Sequence, residues 1–360
     1  MSIAAQQKVG DVITHYRPAK HFSSSDSSSS STSPHITSLD FDDSGDFLVS
    51  ASSDDYMTIY DIKEGKKQKS LPSKKYGVHL ARFTHHTRQV LFASTKENDS
   101  LRLLELHNES FVRYFAAHTS QVTCLALSPG SDTFLSCGSD DNLVCLWDLN
   151  SRSPAGKLKL TTPYLAAFDP SATVMAIASP STQMILMYDV RNFDKAPFLT
   201  FDMQELERRY TPKTQGRAWT KLEFSNDGAS LLLGTDYHGH FWLNSGDEGD
   251  LLRGFLAGRE GESGRAAPVS GSGKPLGQGD ACFSQDGRYV LGGGGEGNEL
   301  VVWDCAVTKG DRVDPLCRLP SRGTRNPVVA VNPRFNMLAT ADTKVTMWLP
   351  QEQIKRVEDA

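Results

Sequence analysis

Residues 118–149 read HTSQVTCLALSPGSDTFLSCGSDDNLVCLWDL. Three runs with strand character, 121–127, 133–137 and 143–149, alternate with the turn clusters Ser-Pro-Gly-Ser-Asp and Gly-Ser-Asp-Asp-Asn. Short runs rich in Val, Leu, Thr and Phe, bounded by Gly, Pro, Asn and Asp, read as an antiparallel meander. A meander this small cannot bury both faces alone, so it needs neighbours of its own kind.

The rest of the chain supplies them. An apolar residue followed by a small polar turn recurs at Phe41, Phe83, Leu127, Phe168, Phe224, Phe283 and Val331. The third-strand ending Trp147-Asp148 recurs at Tyr60, Leu104, Tyr188, Trp242, Trp303 and Trp348, making seven copies with steps of 44, 43, 41, 54, 61 and 45 residues. Four of these steps match the roughly 40–45 residues of a four-stranded propeller blade with a Trp-Asp ending. Fourth strands are read at 66–71, 111–115, 156–160, 197–201, 250–256 and 315–319, with no helical stripe between them. An all-β, seven-bladed β-propeller is the fold expected.

The repeat resembles the WD repeat. His118, Asp141 and Trp147 match the family's hydrogen-bonded set, in which the Trp N–H finds a partner through a hydroxyl and an imidazole held by the Asp. The hydroxyl position falls on Cys137, or on Ser136 if the strand bulges there. Asp54, Asp236 and Asp342 also stand six residues before an aromatic. Buried Trp and His need such partners, so the set implies architecture rather than catalysis.

Residues 1–350 are read as one propeller, with 351–360 a C-terminal tail. The seventh blade ends at Trp348 without a fourth strand, and residues 16–22 are placed to complete it. Pro18 is tolerable on an outermost strand, and closure removes a sheet edge. The segments 23–33, 204–216 and 257–278 are polar, serine-rich or glycine-rich and are expected as flexible insertions. All three follow a fourth strand, which puts them on one face.

A net charge of −5 lacks the basic excess of a nucleic-acid reader, so no direct sequence-specific contact with nucleic acid is expected. The six cysteines form no Cys-x-x-Cys pair, which reads as free thiols in a reducing compartment. No signal-peptide core and no run of roughly 20 apolar residues is present, so neither secretion nor a membrane is expected. Lys63, Lys66, Lys67, Lys69, Lys74 and Lys75 cluster against a single Glu. A solvated outer strand explains them. The sharper reading is a dock for an acidic or phosphorylated segment, with Lys74, Lys75, Tyr76 and Gly77 as candidate partner-binding residues.

Chemical motifs fail on context. The glycine run 292–297 is followed by another strand, so no helix N-terminus could hold a pyrophosphate. Residues 271–275 imitate a phosphate loop, with prolines at two required positions. Asp236, His238 and His240 alternate at period two, but a hairpin turn accounts for them better than a metal. Inner-strand positions such as Val122, Thr123, Leu165, Ala166, Val328 and Val329 are apolar or small. No catalytic set, cofactor site or metal site is read.

Finer phrases narrow the resemblance: residues 73–78 (SKKYGV), 101–107 (LRLLELH), 112–115 (VRYF), 191–198 (RNFDKAPF) and 348–350 (WLP). Together these resemble the WD-repeat subunit shared by the COMPASS histone lysine methyltransferase and the cleavage and polyadenylation factor. The resemblance implies a nuclear, non-catalytic adaptor in histone methylation, mRNA 3′-end processing and transcription termination. Its implied partners are the N-terminal region of a SET-domain methyltransferase, a scaffold subunit of the polyadenylation factor's phosphatase module, and the phosphorylated RNA polymerase II tail. A WD-repeat substrate receptor of a ubiquitin ligase, or another nuclear scaffold, is the alternative.

Overall fold

The computed structural model describes residues 8–23, 34–211, 219–236, 238–246, 250–259, 279, 281–307, 310–321, 323 and 325–358. Within them the strands form seven antiparallel meanders arranged as a seven-bladed propeller. Blade 3 consists of Val122–Leu127, Thr133–Gly138, Leu143–Asp148 and Gly156–Lys159. Its strands alternate between faces, and each face packs on a neighbouring blade. The apolar core is therefore divided into seven clusters, one in each seam between blades. Trp147, Trp303 and Trp348 are fully buried, each facing the preceding blade.

Inner strands are also tied by polar bonds from blade to blade. Ala81 N–H donates to Ser38 Oγ (3.0 Å) and Phe83 N–H to Asp40 Oδ2 (2.8 Å). His79 Nε2 bonds Val122 O (2.7 Å), and Thr123 Oγ1 donates to Tyr164 O (2.7 Å). Such bonds satisfy buried polar groups and fix the rotation of each blade against the next.

The ring closes as the sequence suggests. Tyr16–Ser23 pairs antiparallel with Lys344–Pro350, from Tyr16 opposite Pro350 to Ser23 opposite Lys344. The register shifts between Pro18 and Lys20, so the proline sits beside a bulge on the outermost strand. Val12 and Ile13, just before this strand, are buried in the seam between blades 6 and 7.

Two expectations need correction, and the tail gains an element. Residues 204–216 are not a loop throughout, because Gln204–Tyr210 is a helix with Glu207 buried. The C-terminal tail begins with a helix, Gln351–Glu358. Blade 5 has a fifth strand: Arg312–Val313, from the connection inside blade 6, pairs parallel with Leu252–Leu256 and covers its edge. Most of 23–33 and 257–278 lies outside the described residues. Ala257 and Arg259 are described, and both are buried.

Candidate functional site

The sequence-predicted set in blade 3 assembles around Ser136. Trp147 Nε1–H donates to Ser136 Oγ (2.8 Å), and His118 Nε2 lies 2.7 Å from the same oxygen. His118 Nδ1 meets Asp141 Oδ2 at 2.9 Å. An Nδ1–H donated to the carboxylate leaves Nε2 to accept the serine proton, so one neutral tautomer satisfies the whole chain. Burial holds His118 below its ordinary pKa, against the opposing pull of Asp141. Asp141 also accepts from the backbone N–H of Thr119 and Leu143, both at 3.1 Å, pinning the turn. Gly138 leaves room for the pair, since a Cβ there would lie 2.7 Å from His118 Nδ1. The hydroxyl is Ser136, not Cys137, and its strand pairs regularly with 143–148. The register shift lies in the opposite strand, between Val122 and Cys124. Every member has its partner inside the blade, and nothing points outward.

The other aspartates do not repeat this set. Asp54 accepts from Ser52 Oγ, while Asp342 faces His35 of blade 1 at 3.2 Å. In blade 5, Leu231 opposes Leu243 as Phe134 opposes Trp147. Leu243, not Trp242, therefore occupies the Trp147 position. Asp236 is accordingly out of phase with Asp141. His240 is fully buried, accepting from Thr235 N–H (3.1 Å) and packing edge-on against Trp303. Among the described residues, no three His, Cys, Asp or Glu side chains converge on a possible metal.

The lysine cluster is largely neutralised. Lys63 pairs with Asp46 (2.7 Å), Lys66 with Glu64 (3.0 Å) and Lys69 with Glu109 (2.7 Å), while Lys67 reaches Ser23 O. Lys74 and Lys75 instead hover over the rings of Tyr56 and Tyr76, at 5.5 and 5.0 Å. Gly77, at φ +71°, makes a turn that a Cβ would close against Thr95. Tyr76 is not free for a partner on both faces. The Arg102 guanidinium stacks on it at 3.7 Å and lies 5.0 Å from Tyr114. Arg102 is held by Ser94 Oγ (2.8 Å) and Asn98 Oδ1 (2.9 Å), and Phe111 meets Tyr76 edge-on. Tyr114, 46% exposed, is the accessible aromatic of this cluster. Arg102 and Tyr114 were not singled out from sequence. Both lie within phrases that carry the family resemblance, and the strand register sets them opposite each other.

The central channel has the mostly apolar or small lining expected, with charged side chains added. A cavity of about 230 Å³ opens there, lined by Asp40, Arg82, Cys124, Lys221 and Glu223 as well as apolar residues. Arg82 faces Asp40 at 4.0 Å and Lys221 faces Glu223 at 3.2 Å. Burial pushes Asp40 up to about 6, offset partly by Arg82. Asp40, Arg82 and Glu223 each stand immediately before a repeat's apolar marker, a signal that aligning the seven copies would expose. The lining holds no histidine, and both carboxylates are paired with cations. Both ion pairs lie in the lining of the hub.

Comparison with known proteins agrees with this architecture. The WD domain, G-beta repeat model matches residues 23–61 and 109–148. WD repeat-containing protein 82 of Drosophila melanogaster is 34% identical over 324 residues, spanning 88% of this chain and 91% of the relative. The Set1 complex component swd2 of Schizosaccharomyces pombe is 32% identical over 345 residues, spanning 87% and 92%. The COMPASS component SWD2 of Saccharomyces cerevisiae is 33% identical over 320 residues, spanning 88% and 91%. The chain belongs to the family of WD-repeat propellers that contains WD repeat-containing protein 82 and Swd2.

Proposed function

We propose that this protein is a non-catalytic scaffold subunit of a COMPASS-type histone lysine methyltransferase complex, acting in the nucleus. The observation that carries this reading is the pair of Swd2 relatives, matched over nine-tenths of their own lengths and named as Set1 complex or COMPASS components. The geometry supports a scaffold. The blade 3 set is satisfied internally, the channel carboxylates are paired, and the rim loops present accessible aromatic and cationic side chains. The second assignment, to the cleavage and polyadenylation machinery and the phosphorylated polymerase tail, rests on the sequence phrases alone.

The partner segments are inferred to be the N-terminal region of the methyltransferase and a scaffold subunit of the phosphatase module. Both would dock on the edge formed by Lys74, Lys75, Tyr76 and Gly77, with the exposed Tyr114 beside it and the buried Arg102 holding Tyr76 from behind. Affinity purification of the tagged protein followed by mass spectrometry tests the reading. Recovery of a SET-domain methyltransferase together with polyadenylation subunits is expected. Recovery of cullin-ligase subunits in their place would overturn it.

A further inference from the structure

A second recess lies low in the seam between blades 1 and 2, on the side away from the Lys74–Lys75 turn. Its volume is about 490 Å³, twice that of the central channel. Phe47, Ile59 and Leu106 form an apolar floor contributed by both blades, while Lys69, Arg88 and His107 stand on the rim. Phe47 and Leu106 are only half-buried although they pack on the seam's core cluster, so apolar surface stays accessible at the bottom of the recess. Arg88 and His107 are exposed, and no carboxylate lines the recess. Glu109 pairs with Lys69 of the rim at 2.7 Å. Within a molecule of net charge −5, the recess sets the exposed Arg88 beside an apolar pit that no carboxylate lines.

We infer that the recess docks an acidic, extended segment of a partner protein that inserts one large apolar side chain between blades 1 and 2. Charge complementarity sets the choice. A basic segment would face Arg88, and a purely apolar one would leave that guanidinium desolvated without a partner. The volume accommodates one aromatic or leucine side chain with its flanking backbone, in the manner of peptides that anchor by a single residue. This dock is separate from the Lys74–Tyr114 edge, so one propeller could hold two segments at once.

The test uses the full-length protein and a fluorescein-labelled probe, Asp-Glu-Glu-Phe-Asp-Glu-Glu, followed by fluorescence anisotropy at about 0.15 M salt, where the Debye length is about 8 Å. Wild type should bind the probe, and replacing its Phe by Ser should weaken binding about tenfold. Arg88→Glu should weaken binding by about tenfold or more, and Arg88→Ala by less, because reversal adds repulsion to the lost attraction. Lys74→Glu/Lys75→Glu should leave probe affinity within about twofold, since screening at more than a Debye length removes most remote charge effects. Both Arg88 variants change an exposed side chain, and equal melting temperatures would verify their folding. Three results would overturn the inference: no probe binding by wild type, unchanged affinity in Arg88→Glu, or a loss that follows Lys74 and Lys75 instead. The last of these would leave the proposed edge dock standing.

Discussion

Blades 3 and 5 solve the same packing problem differently. In blade 3, Trp147 reaches Ser136, His118 and Asp141, all supplied by one stretch of 24 residues. In blade 5 the corresponding position is Leu243, which needs no partner, and a different indole has to be satisfied. Trp219, fully buried at the start of the first strand, donates to Glu207 of the inserted helix. The other oxygen of Glu207 takes Gln183 of blade 4. Tyr210 of the same helix stacks on Phe255 at 4.8 Å and bonds Asp311, next to the added strand Arg312–Val313. One blade is closed by its own residues, and the other is closed from outside. Blade 7 belongs with blade 5, since it borrows Tyr16–Ser23 from the far end of the chain. The repeats thus fix the blades. Segments added to the repeat, namely the helix before blade 5, the strand Arg312–Val313 and the strand Tyr16–Ser23, complete what the repeat leaves open.

The harshest way to break this comparison is to remove a borrowed element entirely. Deleting residues 1–22 leaves blade 7 with three strands and an unpaired edge, which should yield aggregates on size-exclusion chromatography. A monomer with unchanged melting temperature would refute the closing role. Next in size is Trp147→Ala, expected to cost about 3–5 kcal/mol in denaturant unfolding from lost packing volume. Glu207→Ala sharpens the contrast. It lies outside every sheet, yet it leaves the buried Trp219 indole and the half-buried Gln183 amide unpaired and should cost about 1–3 kcal/mol. A neutral result there would mean that the inserted helix merely rests on blade 5.

A smaller effect separates the buried histidines from the channel carboxylate. Burial pushes His79 down to about 4 from an ordinary 6.5, and lowers His118 and His240 as well. A histidine kept neutral by the fold binds fewer protons than in the unfolded chain. Stability should therefore be full above pH 6.5 and fall as the pH drops toward 4. Asp40 acts in the opposite sense. Its carboxyl is raised from 3.8 to about 6, so its contribution is present below 3.8 and is lost as pH rises through 6. Asp40→Asn removes that counterweight and should steepen the acid-side loss, as read by melting temperature against pH.

The blades were legible because each repeat carries its own turn chemistry and a strand period of two. The blade 3 set was legible too, save for the choice between Ser136 and Cys137. A strand alternates faces, so an error of one residue there changes which side chain meets the Trp. The same single-residue sensitivity moved the blade 5 marker from Leu243 to Trp242, since pattern matching follows the aromatic and not the register. The inserted helix escaped notice because its most buried residue is Glu207, a charge whose partners lie in blades 4 and 5. Arg102 was hidden for a related reason. Its role depends on Tyr76 and Tyr114 arriving from two separate loops and strands.

The tetrad of blade 3 is bonded within its own blade and the Lys74–Tyr114 edge is the proposed dock, and one paired measurement separates strut from dock. Ser136→Ala and Lys74→Glu/Lys75→Glu would each be measured for thermal stability and for binding of a methyltransferase N-terminal fragment, per folded molecule. Ser136→Ala should lose about 1–3 kcal/mol of stability and keep its partner, because the Trp147 and His118 nitrogens are left unpaired inside the blade. The lysine reversal should keep its stability and lose the partner, with the loss shrinking at high salt. A folded Ser136→Ala protein that no longer binds, or a lysine reversal that binds as well as wild type, would contradict that division.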